Sequence, residues 1–266
     1  MDDAYKAAAL GSMEEFLKND DQDANVVFGL EDGAYNIAHV LSSDGNALDA
    51  AEEVIVSYGS VTIDEAGLIQ GIQNYNAESS AYSINDSASA ILSAEGQGIV
   101  ENSGVDGVYV SGDVSVDQGT ALSDLNIDLQ NISASSNAHI DFNVSGAAAD
   151  ILNAGVELSG ASNIDVNDGP VEAAVGAQLD ALNESLQEFL SYSSDYGMSG
   201  GMGMSGETAM GHEANIIDYA IQDSAKDIAD ALIVSSSSTN LDSAISVVAT
   251  GGTITMQEAE ELQSIT

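Results

Sequence analysis

The stretch YSINDSASAIL, Tyr82–Leu92, decides how this chain is read. Tyr82 and Ile84 alternate with polar residues, Asn85-Asp86 follows, and small residues lead to Ile91-Leu92. Alternation at a period of two marks a strand with one buried face, and Ala88, Ile91 and Leu92 fall at helical spacing. The stretch predicts a strand, a capped turn and a short helix, with Asp86 as the cap of that helix. Related segments stand at Asp141–Leu152 (DFNVSGAAADIL) and Asp218–Leu232 (DYAIQDSAKDIADAL).

Working outward, two patterns alternate along the chain. The first, an aromatic residue, any residue, then Ile or Val, occurs at Tyr35-Asn36-Ile37, Tyr82-Ser83-Ile84, Phe142-Asn143-Val144 and Tyr219-Ala220-Ile221. The second, two apolar residues around a polar one and then an acid or amide, occurs at Val61-Thr62-Ile63-Asp64, Val114-Ser115-Val116-Asp117, Ile164-Asp165-Val166-Asn167 and Ile254-Thr255-Met256-Gln257. Each is read as a short strand whose polar end starts a helix, and an acid in the first helical turn suits the helix dipole. Further alternations at Val54-Ile55-Val56, Val108-Tyr109-Val110, Val156-Glu157-Leu158 and Val247-Val248-Ala249 are followed by Gly59, Gly112, Gly160 and Gly251. These are either hairpin partners or extra strands of the same stack.

Units that cannot bury their own apolar face gain a continuous core by stacking. The fold expected is α/β, a repetitive β/α solenoid-like stack of short strands and short helices. An N-terminal helix over Ala4–Leu17 and one long Gly/Met/Ser loop are added to it. The divisions are residues 1–25 (helix and acidic linker), 26–190 (six repeats), 191–214 (insertion loop) and 215–266 (the last two repeats).

Charge bounds the function. Three lysines, no arginine and 44 acidic residues give a formal charge of −41 over 266 residues. No basic patch for nucleic acid can be assembled, nor a polybasic membrane anchor. So many carboxylates repel one another in a compact state, which bound cations or high salt offset. At about 1 M salt the screening length falls to roughly 3 Å. With no cysteine, the chain has neither disulfides nor thiolate metal sites. No apolar run reaches the roughly 18 residues of a membrane span. The acidic N-terminus lacks the pattern of a cleaved signal peptide. The expectation is an extracellular or cell-surface protein exported without one.

Chemistry is sparse. The three histidines, His39, His139 and His212, stand in no catalytic motif, and no nucleophile elbow, phosphate loop or HExxH is present. A non-enzyme is expected. Calcium is the favoured ligand, because carboxylate, amide and carbonyl oxygens suit a hard cation. Its candidate ligands are Asp20, Asp21 and Asp23; Asp106, Asp113 and Asp117; and Asp165, Asn167 and Asp168. The simpler reading makes most of them caps or solvated turn residues. Met198, Met202, Met204 and Met210, in the Gly/Ser-rich insertion, suit soft Cu(I) or, more simply, adaptable packing. Together with Tyr5, Met13 and Phe16 they are the expected assembly contacts.

Tyr82-Ser83-Ile84-Asn85-Asp86-Ser87-Ala88 resembles the Y-S-I-x-D-[ST]-A element of long, acidic, cysteine-free repeat proteins of marine bacteria and cyanobacteria. There the element alternates with V-[ST]-V-x-[DE]-A, as Val61–Ala66 does here. The resemblance runs through short motifs from Tyr35 to Thr266. It implies an exported surface protein of the surface-layer, appendage-subunit or type I secreted adhesin kind. The function expected is self-assembly with copies of the same chain into a filament, tubular appendage or surface layer, with divalent cations screening the charge. The alternative is an adhesin module for a surface glycan or protein.

Overall fold

The computed structural model describes residues 5–8, 28–102, 104–132, 139–195, 216–234, 241, 243–253 and 255. It is mixed α/β, and every strand pairing it contains is parallel. In chain order the elements are β1 (Gly29–Gly33), α1 (Ala34–Ser43), β2 (Glu53–Tyr58), β3 (Ser60–Val61), α2 (Ile63–Gln70) and β4 (Tyr82–Ser87). Then come α3 (Ala88–Ile91), α4 (Ala94–Val100), β5 (Val105–Ser111), α5 (Val116–Ile132), β6 (Ile140–Asp141) and β7 (Asn143–Gly146). The last are α6 (Ala148–Ala154), β8 (Asn163–Val166), α7 (Ala173–Asp195), β9 (Ile217–Asp223), α8 (Ala225–Val234) and β10 (Ala244–Ala249).

The chain divides into two compact units, Met1–Gly112 with Leu125–Asp141, and Asp113–Asp124 with Phe142–Thr266. The first holds the pair β1-β2 and the sheet β3-β4-β5-β6; the second holds β7-β8-β9-β10. Within each sheet the spatial order is the chain order, so each strand lies beside the next one made. The Val-rich segments are therefore parallel strands where they are strands at all, and none is a hairpin partner among the described residues.

One face of each sheet is core. Val61, Ile84, Val108 and Ile140 form a buried row across β3 to β6, and Val144, Ile164 and Ile217 form another across β7 to β9. The other face is polar. Asn85, Tyr109 and Asp141 share a row in the first unit, and Ser145, Asp165 and Asp218 share one in the second. Parallel sheets are ordinarily covered on both faces; here Asn85, Tyr109 and Asp165 are exposed.

A motif with a positive-φ glycine recurs at the start of three helices. Gly59, Gly112 and Gly169 have φ of 103°, 81° and 98°, a region that glycine enters without strain. Two residues later Val61, Val114 and Val171 bridge Ile84, Val144 and Ile221, and two residues further on the helix begins. This corrects the second sequence pattern. Its first apolar residue closes a strand ladder and its second, Ile63 or Val116, opens the helix. The copy at Ile164-Asp165-Val166 is β8 itself, and the equivalent of Val61 is Val171. Ile254 and Met256 lie outside the described residues.

Other expectations are corrected too. Tyr35-Asn36-Ile37 is not a strand but the first turn of α1, because Ile37, Ala38, Val40 and Leu41 make a buried helical stripe. Val156-Glu157-Leu158 is a 3₁₀ turn after Gly155, whose φ is 57°. α7 continues to Asp195, past residue 191, and is long.

The caps are also shifted. Thr62, not Asp64, caps α2, in a capping box with Glu65. Ser87, not Asp86, caps α3, and the Asp227 N–H donates to Ser224 Oγ at α8. The strand-end aspartates reach back to an earlier helix. Asp86 accepts from Ile63 N at 3.0 Å, Asp168 from Ala148 N at 3.2 Å and Asp223 from Ala173 N at 3.0 Å. Each satisfies the first orphan donor of α2, α6 or α7.

Candidate assembly edges and acidic positions

β1 and β10 are among the strands that end a sheet with one neighbour among the described residues. β1 pairs with β2, and β10 pairs with β9. Such edges offer a row of main-chain donors and acceptors to another strand. They differ in chemistry. β1 contains Glu31 and Asp32 and walls a cleft of about 610 Å³ that it shares with Lys6, Ala7, Phe28 and Tyr58. β10, AISVVA, carries no charge, and Ile245 is 69% and Val248 50% exposed. Residues 243–257 contain no charged side chain in a chain of net charge −41. Natural edge strands are commonly blunted by charge or proline; β10 has neither.

Both edges are held by ordered neighbours. In β1, Asp32 accepts from Gly33 N at 2.7 Å and Asn36 Nδ2 at 2.9 Å, fixing the passage into α1. Gly33 packs under the Tyr58 ring, where an added Cβ would stand 2.7 Å from Cε2. β10 is tied in through Ser243, whose N–H donates to Asp180 Oδ1 at 3.3 Å. Its Oγ accepts from Asn183 Nδ2 at 3.0 Å. Asn183 also accepts from Ile216 N at 2.9 Å and Ile217 N at 3.3 Å, so one buried α7 side chain sets the starts of both β9 and β10. The Tyr219 hydroxyl donates to Asp180 Oδ1 at 2.7 Å.

The first unit has its own buried tyrosines. Gln70 Nε2 donates to the Tyr82 hydroxyl at 2.9 Å and to Ile99 O at 3.0 Å. Burial pushes the Tyr82 hydroxyl far above the ordinary tyrosine range, opposed by the Gln70 hydrogen bond. Burial raises Tyr75 as well.

The expected calcium ligands are scattered over turns and strand ends. Asp106, Asp113, Asp117, Asp165, Asn167 and Asp168 are all exposed. Asp168 caps α6, and Asn167 Nδ2 donates to Ser145 Oγ at 2.9 Å. No group of three acidic or histidine side chains converges as a metal cage among the described residues. The pairing the sequence did not reveal is Asp165 beside Asp218, in register across β8 and β9. Asp20, Asp21 and Asp23 lie outside the described residues, as do Met13, Phe16, Met198, Met202, Met204 and Met210. Tyr5 is 41% exposed and its ring lies 6.0 Å from that of His39. No described helix is long and apolar enough to cross a membrane. Comparison with protein families, curated proteins and solved structures gave no match.

Proposed function

We propose that this chain is a non-enzymatic, extracellular structural subunit that assembles with copies of itself into a filament, tubular appendage or surface layer. Its strands and helices stack in the manner of a β/α solenoid, and the stack continues from one molecule to the next. The observation that carries this reading is β10, an uncharged, solvent-facing edge strand in an otherwise densely acidic chain. Exposed apolar edges are ordinarily avoided because they recruit other chains, so a chain that keeps one is built to use it. A contact between two different edges need not close, and an open contact propagates a filament.

Calcium or other cations screen the carboxylates between and within subunits. Asp165 opposite Asp218 supports this, since like charges directly across a strand pair destabilise it. The charge balance supports the extracellular setting. Sedimentation velocity and negative-stain microscopy in sea-water-level salt, with and without calcium, test the reading. Ordered polymers are expected, more abundant with calcium. A strict monomer at high concentration under both conditions overturns it.

The adhesin reading draws on the open polar face of the first unit, where exposed Tyr109 stands between Asn85 and Asp141. Saturable glycan binding by a monomer that loses affinity on Tyr109→Ala favours it instead.

A further inference from the structure

We propose that two copies of this chain pair through β10, antiparallel, about a two-fold axis that passes beside Val248. This inference rests on the self-assembly reading and names its contact.

The first unit shows what the outer edge of such a strand holds. β1-β2 and β9-β10 pair in the same register: Leu30 meets Val54 and Asp32 meets Val56, as Ile221 meets Val247 and Asp223 meets Ala249. Val54 and Val56 turn their main-chain groups away from β1, and all of those groups are bonded. Val54 N donates to Asn74 O at 3.0 Å, and Val54 O accepts from Asn76 N at 2.9 Å. Val56 N donates to Ser80 Oγ at 3.0 Å, and Val56 O accepts from Ala81 N at 2.7 Å. In β10, Thr250 N donates to Asp223 O at 2.8 Å, so strand alternation turns Val247 and Ala249 outward in the same way. No described residue bonds their outward N–H and C=O groups. The edge that is filled beside β2 is open beside β10.

Charge selects the occupant. Two chains of charge −41 repel. Residues 243–257 carry no charge, and beside β10 the open face continues with uncharged Ala220 and Gln222, level with Ser246 and Val248. A basic partner is drawn to the carboxylates elsewhere and gains nothing from this strand. A second β10 meets it with no carboxylate from either strand. A two-fold contact also needs no other surface, because the same patch supplies both halves.

The outward groups set the register. An axis at Val248 places Val247 opposite Ala249 of the second copy, and Ala249 opposite its Val247. Each such pair exchanges two main-chain bonds, so every outward group of Val247 and Ala249 in both copies is satisfied. An axis at Val247 would set Ala249 opposite Ile245, where the ladder is irregular. An axis at Ala249 would set Val247 opposite Gly251, whose carbonyl already accepts from Ala225 N at 2.9 Å. With the axis at Val248, the two Val248 side chains cover each other on the open face. Their Cα atoms stand about 4.5 Å apart, as at any non-hydrogen-bonded antiparallel position. The pair closes on itself, so growth beyond it uses a second contact on each copy.

The absence of cysteine gives a clean test. Val248→Cys, assembled and mildly oxidised, should give disulfide-linked dimers and nothing larger on a non-reducing gel, because disulfides need Cα atoms within about 7 Å. Ile245 is more exposed, 69% against 50%, but lies roughly 20 Å from its counterpart, so Ile245→Cys should cross-link at least about tenfold less. Ser246→Cys and Thr250→Cys should each fail alone and link to each other when mixed. Ala249→Pro, which removes an outward N–H and leaves the β9 bonds, should abolish the dimer with an unchanged circular dichroism spectrum. Association of the unaltered chain in sedimentation velocity, without cross-linking through position 248, overturns this contact and leaves the assembly reading standing. Dimers that link through position 248 and grow no further uphold this contact and overturn the polymer. An unaltered chain that remains monomeric overturns both.

Discussion

Tyr82 and Tyr219 occupy the same place in the two units, and their hydroxyls are served in opposite senses. Each is 1% exposed and stands two residues before the apolar residue, Ile84 or Ile221, that a valine two residues ahead of a helix bridges. Beneath each lies a polar side chain from the equivalent helix position, Gln70 in α2 and Asp180 in α7. Gln70 donates to Tyr82, whereas Asp180 accepts from Tyr219. The third instance is instructive. Ser123, at the same position of α5, is 2% exposed, and the aromatic is Phe142, which has no hydroxyl to serve. Ser123 accepts from Gly160 N instead, at 3.2 Å. Packing geometry is thus held constant while the polar residue changes with the aromatic it meets. The carboxylate version recruits a further donor, Ser243 N, and through it the edge strand β10.

Breaking the second version is therefore expected to cost the most. Asp180→Ala leaves the Tyr219 hydroxyl and the Ser243 N–H without this acceptor and should destabilise the second unit by about 3 kcal/mol. Gln70→Ala should cost about 1–1.5 kcal/mol in the first, both read by urea denaturation. Asp180→Ser/Tyr219→Phe, which copies the Ser123/Phe142 pair, should recover at least half of the Asp180→Ala loss. If it does not, the three positions are not interchangeable.

The next test addresses how closely helix and strand approach. Ala66, Gly119 and Gly176 share one helix position. A Cβ at Gly119 would lie 2.6 Å from Val144 Cγ2, and one at Gly176 2.9 Å from Ile221 Cδ1. Gly119→Ala and Gly176→Ala should each lower stability by about 1–3 kcal/mol through overpacking, despite alanine's better helix propensity. Ala66→Gly should lose about 1 kcal/mol, by propensity. A stabilising Gly→Ala at either site would show that the two helices sit farther from their sheets.

The back-reaching caps should be worth about 1 kcal/mol each. Asp86→Ala and Asp223→Ala are expected to speed amide exchange at Ile63 and Ala173, at the starts of α2 and α7. Faster exchange confined to Ala90 or Asp227 would restore the forward-capping assignment read from the sequence.

The smallest effect is a pH dependence in the first unit. Burial raises the Tyr82 and Tyr75 hydroxyls above their ordinary value near 10. The folded state then keeps protons that the unfolded state releases, so their contribution is complete below pH 10 and declines above it. Stability should fall by about 0.8 kcal/mol by pH 10.5 on account of Tyr82, and Tyr82→Phe should remove that share. An unaltered slope in that variant would contradict the assignment.

Much of the strand content was legible in the sequence. Tyr82, Phe142 and Tyr219 mark strands because an aromatic and a β-branched residue two apart fill one face of a half-buried sheet. Tyr35 misled because the same spacing also fits a helix, and Ile37, Ala38, Val40 and Leu41 complete the helical stripe. The second pattern misled because an apolar-polar-apolar triplet also spans the junction of strand and helix. The informative residue was the glycine two positions earlier, at 59, 112 and 169. Gly160 drew attention to the wrong valine segment. Caps shifted because an aspartate at a strand end can serve a helix made earlier in the chain, a contact that local spacing does not encode. The edges were the least legible. Val247-Val248-Ala249 reads as a strand, but whether that strand has one neighbour or two depends on tertiary order.

The central claim is that the stacking within the chain continues between chains. Fibre diffraction from aligned assemblies tests it most directly. Strands joined edge to edge lie across the polymer axis, so the account predicts a strong meridional reflection at about 4.8 Å, the spacing of neighbouring strands. Aligned polymers with that reflection on the equator, or without it, would contradict edge-to-edge assembly.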